Sequence, residues 1–196
     1  MAWPERILSA RVMVTTRQVG IQTAHIPPGV SNGWIKAETL EGIYKRLKRR
    51  STVPRVRCGD FNTPQEEGAD GIIVTWAHRR RPDGCWVLRP RRGLRWDAAE
   101  RNFLQRLAAF DLPDVFQAIH GYGVRGFSWI TKKGQNRVRR RCDHVFASRR
   151  LKPIAIAYLD RPRRKGLSDT MLLSKETSRG RLNEWRRERL ISRLVP

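Results

Sequence analysis

The order of hydrophobic periods in the first third of the chain restricts the choice of fold. β-Branched residues recur near period two from Ile7 to Ile26, which predicts two adjacent strands that turn near Gln18 to Gly20. From Ala37 to Arg50 the apolar residues fall on one face of a helix, and a short strand follows from Arg55 to Cys58. This alternation of strands with a helix predicts an α/β layer fold.

The rest of the chain continues the alternation. Residues 66–95 are rich in Gly, Pro and Arg, which predicts an irregular basic surface loop. Basic connections are predicted at Lys132–Arg140 and Arg161–Lys165. The further predicted elements are a helix at Trp96–Phe110, strands at Phe127–Ile130, Arg141–Ala147 and Ile154–Tyr158, and a basic helix at Leu182–Leu194.

The net charge of the chain indicates which class of molecule it binds. It has 41 Lys and Arg against 18 Asp and Glu, a formal net charge of +23. Most of the basic residues are Arg, whose planar guanidinium binds phosphate through two hydrogen bonds and stacks on bases. We therefore expect nucleic acid, DNA or RNA, as the partner, and Arg-rich codon usage is the alternative.

The cysteines and the hydropathy indicate an intracellular protein. Cys58, Cys85 and Cys142 are odd in number and lack CxxC spacing, which favours neither a disulfide framework nor a zinc site. No stretch approaches the roughly 18 consecutive apolar residues of a membrane helix. We expect a soluble protein of the cytoplasm or nucleus, without membrane contact.

Three aspartates stand where short apolar strands end. They are Asp60 in VRCGDFN, Asp143 in RRRCDHVFAS and Asp169 in GLSDTMLL. Mg²⁺ prefers oxygen ligands and is usually held by one or two carboxylates together with waters and a phosphate, so convergent aspartates in a basic cleft suit phosphodiester hydrolysis. The alternative is that each aspartate only forms a turn.

Five motifs follow one another along the chain: IQTAHIPPG, GDFNTP, LPDVFQAIHGYGVRGFSW, RRCDHVFASRRL and GLSD. Their order resembles that of the endonuclease/exonuclease/phosphatase superfamily. The resemblance implies a four-layered α/β sandwich of two mixed sheets flanked by helices, the DNase I-like fold. It runs from about Ile7 to Leu173, which gives a domain at 1–174 followed by the basic helix within 175–196.

The resemblance also implies a role for each motif residue. Asp60 would orient or deprotonate the attacking water, and Asn62 would donate a hydrogen bond to the scissile phosphate. His25 would protonate the leaving oxygen, because an imidazole titrates near neutrality. Asp143 matches the aspartate that orients a catalytic histidine, and Asp169, with Asp60, would lie at a Mg²⁺ or Mn²⁺ ion.

Two further residues are expected on the substrate side of the site. Trp129, in GFSW, matches a family tryptophan near the substrate. Arg141 ends the run from 137 to 141, one of three arginine runs that could line a nucleic-acid groove or could simply be solvated.

The sequence also departs from the family pattern. Thr170 stands where the family has a catalytic histidine, and His144 is a poor substitute because adjacent strand residues point to opposite faces. The family's N-terminal strands, one of which bears a metal-binding glutamate, are not found before Ile7, and their absence would leave a sheet edge open to pairing with another chain.

The departures leave three hypotheses. The first is a divalent-metal-dependent nuclease, and the second is a non-catalytic nucleic-acid-binding remnant of one. The third is a phosphatase or sphingomyelinase-like member, which the high positive charge disfavours.

Overall fold

The computed structural model describes residues 6–29, 33–159, 165–166 and 172–177, the last of these as backbone. The helices are α1 (Ile35–Leu47), α2 (Gly93–Gln105) and α3 (Val115–His120), with short 3₁₀ turns at Leu107–Phe110 and Arg149–Leu151. The strands are β1 (Ile7–Val14), β2 (Arg17–His25), β3 (Arg55–Asp60), β4 (Glu66–Glu67), β5 (Ile73–Val74), β6 (His78–Arg80), β7 (Trp86–Leu88), β8 (Trp129–Lys133), β9 (Asn136–Arg140), β10 (Asp143–Ala147), β11 (Pro153–Leu159) and β12 (Leu172–Thr177).

A four-stranded mixed sheet with the order β1-β2-β3-β10 forms the centre of the fold. β2 and β3 run parallel, joined by α1, while β1 pairs antiparallel with β2 and β10 pairs antiparallel with β3. The remaining pairs among the described strands are β4-β5, β6-β7, β8-β9 and β11-β12. The α/β prediction is confirmed.

Hydrophobic clusters cover both faces of this sheet. One joins the sheet residues Ala24 and Phe146 to α1 and α2 through buried side chains such as Leu40 and Phe103. The other joins Val145 to α3 and β11, with Phe116 buried between them. The central sheet therefore lies between a helical layer and a layer built from α3 and β11.

Several predicted boundaries need correction. The first hairpin turns at Thr15–Thr16, not at Gln18–Gly20, because Thr15 adopts a left-handed conformation with φ of 57° and Gln18 already pairs with Met13. The segment from 66 to 95 is not an irregular loop, since it contains the β4-β5 and β6-β7 pairs and the start of α2.

The basic segment at 132–140 is also more regular than predicted. It forms the end of β8, a turn and all of β9, whose residues pair in register from Trp129↔Arg140 to Lys133↔Asn136. The composition of this segment predicted only a connection between strands, because composition does not reveal a pairing partner. Pairing with β8 makes the arginine-rich segment a regular strand.

α3 was not predicted from the sequence. It begins at Asp114, whose carboxylate accepts hydrogen bonds from the backbone amides of Phe116 and Gln117 at 2.9 and 3.2 Å. The predicted helix at 182–194 lies outside the described residues.

β1 is an edge strand of the described sheet, with a paired neighbour on the β2 side only. Leu8 and Met13 are exposed, at 67% and 64% of their surface. Pairing of this edge with another chain stays a prediction. No helix within the described part of the chain is long and apolar enough to cross a membrane.

Candidate active site

Three of the predicted site residues lie in one row across the central sheet. The register pairs His25 of β2 with Asp60 of β3, and Asp60 with Asp143 of β10. Side chains opposite one another on neighbouring strands have Cβ atoms about 5 Å apart. Three residues that are distant in sequence therefore meet at one end of the sheet.

Asp60 is in the middle of this row, and its carboxyl is perturbed by its surroundings. Burial and the nearby Asp143 carboxylate raise the pKa of Asp60 to about 6, against smaller lowering contributions from Asn62, His25 and His144. The backbone amide of Asn62 donates to its Oδ1 at 2.8 Å. A carboxyl that loses its proton near neutral pH is suited to accept a proton from water.

Gly59 lets β3 approach β2 closely just before Asp60. Its φ is 138°, and a Cβ at this position would lie 1.9 Å from the carbonyl oxygen of Ala24. Only glycine fits this approach without moving one of the two strands. The Gly59-Asp60 pair is thus required by the packing of the row and not only by turn chemistry.

His25 lies at the solvent side of the row. Its imidazole is 57% exposed, and its Nε2 is 3.9 Å from Oδ2 of Asp60. Its Nδ1 is 2.9 Å from Nη1 of Arg6. The ring is therefore accessible to a substrate while remaining near the carboxylate.

Asn62 is held in an unusual backbone conformation beside Asp60. Its φ is 50°, and its carbonyl oxygen accepts hydrogen bonds from Lys36 Nζ and Trp76 Nε1, both at 2.8 Å. Its side-chain amide donates to the carbonyl oxygen of Ile26 at 2.8 Å and contacts Oδ2 of Asp60 at 3.3 Å. The amide is thereby fixed next to the carboxylate.

A buried carboxylate behind the loop holds these supports in place. Oε1 of Glu100 accepts from Lys36 Nζ at 3.0 Å and from Trp96 Nε1 at 2.7 Å. Its Oε2 accepts from the hydroxyl of Thr63 and from the backbone amide of Trp76 at 3.0 Å. Lys36 and Glu100 are 1% and 0% exposed, so this is a fully buried ion pair.

Sequence reasoning missed this buried pair. Glu100 occurs in an amphipathic helix and Lys36 near the start of another, where a charged residue usually indicates a solvated face. The only local signal is that Glu100 follows Trp96 by four residues, which places the two side chains on the same helix face.

Arg141 does not occupy the substrate-binding position expected for it. Its guanidinium is 5% exposed and is bound by Glu67 at 2.7 Å and by Asp114 at 2.6 Å. Asp114 also contacts Nδ1 of His144 at 2.9 Å, and the other ring nitrogen of His144 contacts the carbonyl oxygen of Thr63 at 2.8 Å. Arg141 is therefore a structural residue whose donors are already used by carboxylates.

The same network accounts for His144. The ring is fully buried on the side of the sheet away from solvent, as the alternation of strand side chains predicted. Burial by itself would raise the pKa of Asp114, but Arg141 and His144 outweigh it and hold this pKa well below its usual range. The network joins β10, α3 and the loop after Asn62.

Trp129 is half-buried beside the Asn62 loop. The guanidinium of Arg140 lies 5.3 Å from the Trp129 ring centroid and 4.9 Å from the ring centroid of Trp76. The Nε of Arg140 donates to the carbonyl oxygen of Gln65 at 3.1 Å. Trp76, which precedes the β6-β7 hairpin, and Arg140, which ends the β8-β9 hairpin, thus both contact the loop from Asn62 to Gln65.

The donor set at the row can be compared with what a divalent cation needs. Asp60 and Asp143 are register partners, and the charge of Asp143 helps to raise the pKa of Asp60, so a cation between them would relieve repulsion. Asp169, the other expected metal ligand, and Thr170 lie outside the described residues. Among those described, no group of three His, Cys, Asp or Glu residues has the geometry of a metal site.

The sequence matches no known family profile, and no curated protein is significantly similar to it. Solved structures, by contrast, resemble it. A D. rerio TDP2 structure solved with a single-strand DNA product has a TM-score of 0.53 and 14% identity over 86% of this chain. An endonuclease/exonuclease/phosphatase family protein from Leptotrichia buccalis has a TM-score of 0.51 and 15% identity over 88% of the chain.

The endonuclease domain of TRAS1, a telomere-specific non-LTR retrotransposon, has a TM-score of 0.51 and 12% identity over 92% of the chain. This chain spans 60%, 52% and 69% of the lengths of these three structures, in the order given. Its sheet order, its helical layer and these similarities agree with the motif order. The chain has the DNase I-like α/β fold, which it shares with these three solved structures.

Proposed function

We propose that this protein is a divalent-metal-dependent phosphodiesterase that hydrolyses nucleic acid. The observation that carries the proposal is the row formed by His25, Asp60 and Asp143, with the Asn62 amide fixed beside it. A general base, an exposed imidazole and a hydrogen-bond donor lie together at a sheet edge, as in-line attack of water on phosphorus requires.

Each residue takes one part of the reaction. Asp60 accepts the proton of the attacking water, because its raised pKa gives the carboxylate a useful basicity. Asn62 stabilises the negative charge that builds on the phosphate. Its side-chain amide contacts the Ile26 carbonyl oxygen at 2.8 Å and Asp60 Oδ2 at 3.3 Å, and a phosphate oxygen would replace the longer contact. His25 delivers a proton to the leaving oxygen.

The metal would be Mg²⁺ or Mn²⁺, held by Asp60 and Asp169, and it would supply positive charge against the phosphate oxygens. Asp143 acts on the site through Asp60, since it raises the proton affinity of that carboxyl.

The charge distribution supports nucleic acid as the substrate. Arg79 and Arg80 in β6, and Arg137 and Arg139 in β9, are exposed on the two hairpins that flank the Asn62 loop. The guanidinium of Arg139 lies 4.9 Å from the Phe127 ring centroid. Arginines held against aromatic rings present both a cation to phosphate and a flat surface to bases. The single-strand DNA product bound to D. rerio TDP2 is compatible with such a substrate.

The test is cleavage of a plasmid and of an abasic-site duplex by the purified protein with Mg²⁺, with Mn²⁺ and with EDTA. We expect cleavage that needs the metal and that falls by at least about 10²-fold in Asp60→Ala, as typical general-base contributions predict. Cleavage that persists in EDTA or in Asp60→Ala would contradict the proposal.

The second candidate is a nucleic-acid-binding protein without hydrolytic activity, which the net charge of +23 and the exposed arginine hairpins favour by themselves. Tight binding of the same DNA substrates without metal-dependent cleavage would select it. Both candidate functions use the same nucleic-acid-binding surface, so this surface can be tested independently of hydrolysis.

Removal of Arg137 and Arg139 should weaken binding to DNA and reduce its salt dependence. Each lost phosphate contact lowers the slope of log K against log salt concentration by about 0.9, so the double glutamine variant should lose about 2 from the slope. Fluorescence anisotropy between low and moderate salt measures it. The matched control is the double variant Arg149→Gln and Arg150→Gln, which removes the same charge beyond the opposite end of β10. An equal loss in the control would mean that only net charge matters.

A further inference from the structure

A second basic site lies on the central sheet, away from the row of active-site residues. A cavity of about 330 Å³ is lined by β1, β2, β3 and the end of α1. Arg11, Arg46, Arg55 and Arg57 contribute to its wall, and no acidic side chain does. Such a concentration of one charge in a concave surface produces a strong positive potential.

Arg57 is the least expected member of this group. It is 1% exposed in the middle of β3, and its Nε and Nη2 are buried without a hydrogen-bond acceptor. No carboxylate of the described residues forms an ion pair with it, and its closest aromatic neighbour is Phe61, with the guanidinium 5.6 Å from the ring centroid. Buried guanidinium groups normally have a carboxylate partner, because an unpaired buried charge is strongly destabilising.

Arg55, on the same cavity wall, has hydrogen-bond acceptors for its Nη donors. Its Nη atoms donate to the carbonyl oxygens of Leu47, Arg49 and Phe110 at 2.8 to 3.1 Å, while its Nε is buried without an acceptor. In β3, the buried donors without acceptors therefore belong to Arg55 and Arg57. These two residues lie on the same face of the strand and contribute to the same cavity wall.

We propose that this cavity binds an oxyanion of the phosphate class, with Arg57 as the buried anchor and Arg11 and Arg46 as exposed contacts. A phosphate group provides several acceptors in the geometry that guanidinium donors match, and it compensates their charge. The cavity has room for a phosphate together with a small organic group.

The site is separate from the proposed catalytic row. Arg57 pairs in register with Gln22, three residues before the His25 and Asp60 pair on the same two strands. Three strand residues span about 10 Å. The inference does not depend on hydrolysis, and it would hold equally for a protein that only binds nucleic acid.

The probe is inorganic phosphate, titrated by calorimetry and by thermal unfolding at constant ionic strength against chloride. Arg57→Leu removes the anchor and should weaken phosphate binding by at least about tenfold, the effect of losing one charge-assisted contact. It should also raise the unfolding temperature in phosphate-free buffer, because the uncompensated charge is gone.

Gly20→Leu is a second variant that keeps all four arginines. An added Cβ at Gly20 meets its nearest atoms, Cγ of Arg55 and the carbonyl oxygen of Pro54, at 3.9 Å, so a Cβ is accommodated at this position in the cavity wall. It should abolish the phosphate effect by filling the space. Arg91→Gln, an exposed charge change in the turn before α2, should leave the effect unchanged, as should Asp60→Asn, which alters only the catalytic row.

Loss of the phosphate effect in both cavity variants and its retention in both controls supports the site. Retention in Gly20→Leu would overturn it, as would a destabilised Arg57→Leu that still responds to phosphate. An equal reduction in Arg91→Gln would show general screening of the basic surface, and this too would overturn the proposal. Because Asp60→Asn is included, failure here is distinguishable from failure of the proposed catalytic function.

Discussion

Replacement of Asp60 by asparagine should abolish hydrolysis and at the same time make the folded protein more stable at neutral and alkaline pH. The folded-state pKa of about 6 lies above the ordinary value of 3.8, mainly because burial disfavours the charged form. Above pH 6 the Asp60 carboxyl is ionised in both the folded and the unfolded state, but its ionisation costs more free energy in the folded state. The difference corresponds to about 3 kcal/mol, which Asp60→Asn should recover in metal-free buffer.

The sign of the pH dependence makes this prediction specific. Between about pH 4 and pH 6 the folded state binds a proton that the unfolded state has lost, so the stability contributed by Asp60 is present at low pH and decreases as pH rises through 6. The stability difference between the variant and the native sequence should be near zero at pH 4 and largest at pH 8. Activity should follow the opposite course and rise until about pH 6, since the base must be ionised.

Urea unfolding at several pH values, in the presence of EDTA, measures the difference. Glu38→Gln is a matched control, because it removes one exposed carboxylate from α1 and should change stability by less than about 0.5 kcal/mol at every pH. If Asp60→Asn destabilises the protein at pH 8, its carboxylate contributes to the fold through contacts and the raised pKa is not its main feature.

Replacement of Glu100 by glutamine should be among the most destabilising single changes in the chain. Glutamine keeps the shape of the side chain but leaves the Lys36 ammonium buried without a countercharge. Breaking a buried ion pair in this way costs about 3–5 kcal/mol. The amide also turns a donor toward either the Lys36 and Trp96 side or the Thr63 and Trp76 side, which are themselves donors.

The rate of nucleic-acid cleavage should also fall in Glu100→Gln, because Lys36 Nζ donates a hydrogen bond to the carbonyl oxygen of Asn62. The comparison is with Glu41→Gln, where the lost carboxylate pairs with Arg95 on the surface and both side chains are more than one third exposed. That change should cost less than about 1 kcal/mol and should spare activity. Equal destabilisation of the two variants in urea would refute the claim that the buried pair supports the site.

The elements that depend on local patterns could be predicted from the sequence. The period-two alternation before Ile26 gives the first hairpin and the helical spacing after it gives α1, because both patterns reflect which side of one element faces the core. The strand pattern also placed Asp60 and Asp143 at strand ends and Asn62 in the loop after Asp60, where the structure has them. The fold class follows from these features.

Which of these residues meet, and which side chains surround them, depends on packing between elements that are distant in the chain. The register that aligns His25, Asp60 and Asp143 joins segments far apart in the chain, and no local period specifies it. The assignment of Arg141 was wrong for the same reason, since its carboxylate partners come from β4 and from the residue before α3. Burial of Lys36, Glu100 and Arg57 is equally non-local: a charged residue in a sequence predicts a solvated surface, and only the packing of neighbouring elements removes the water.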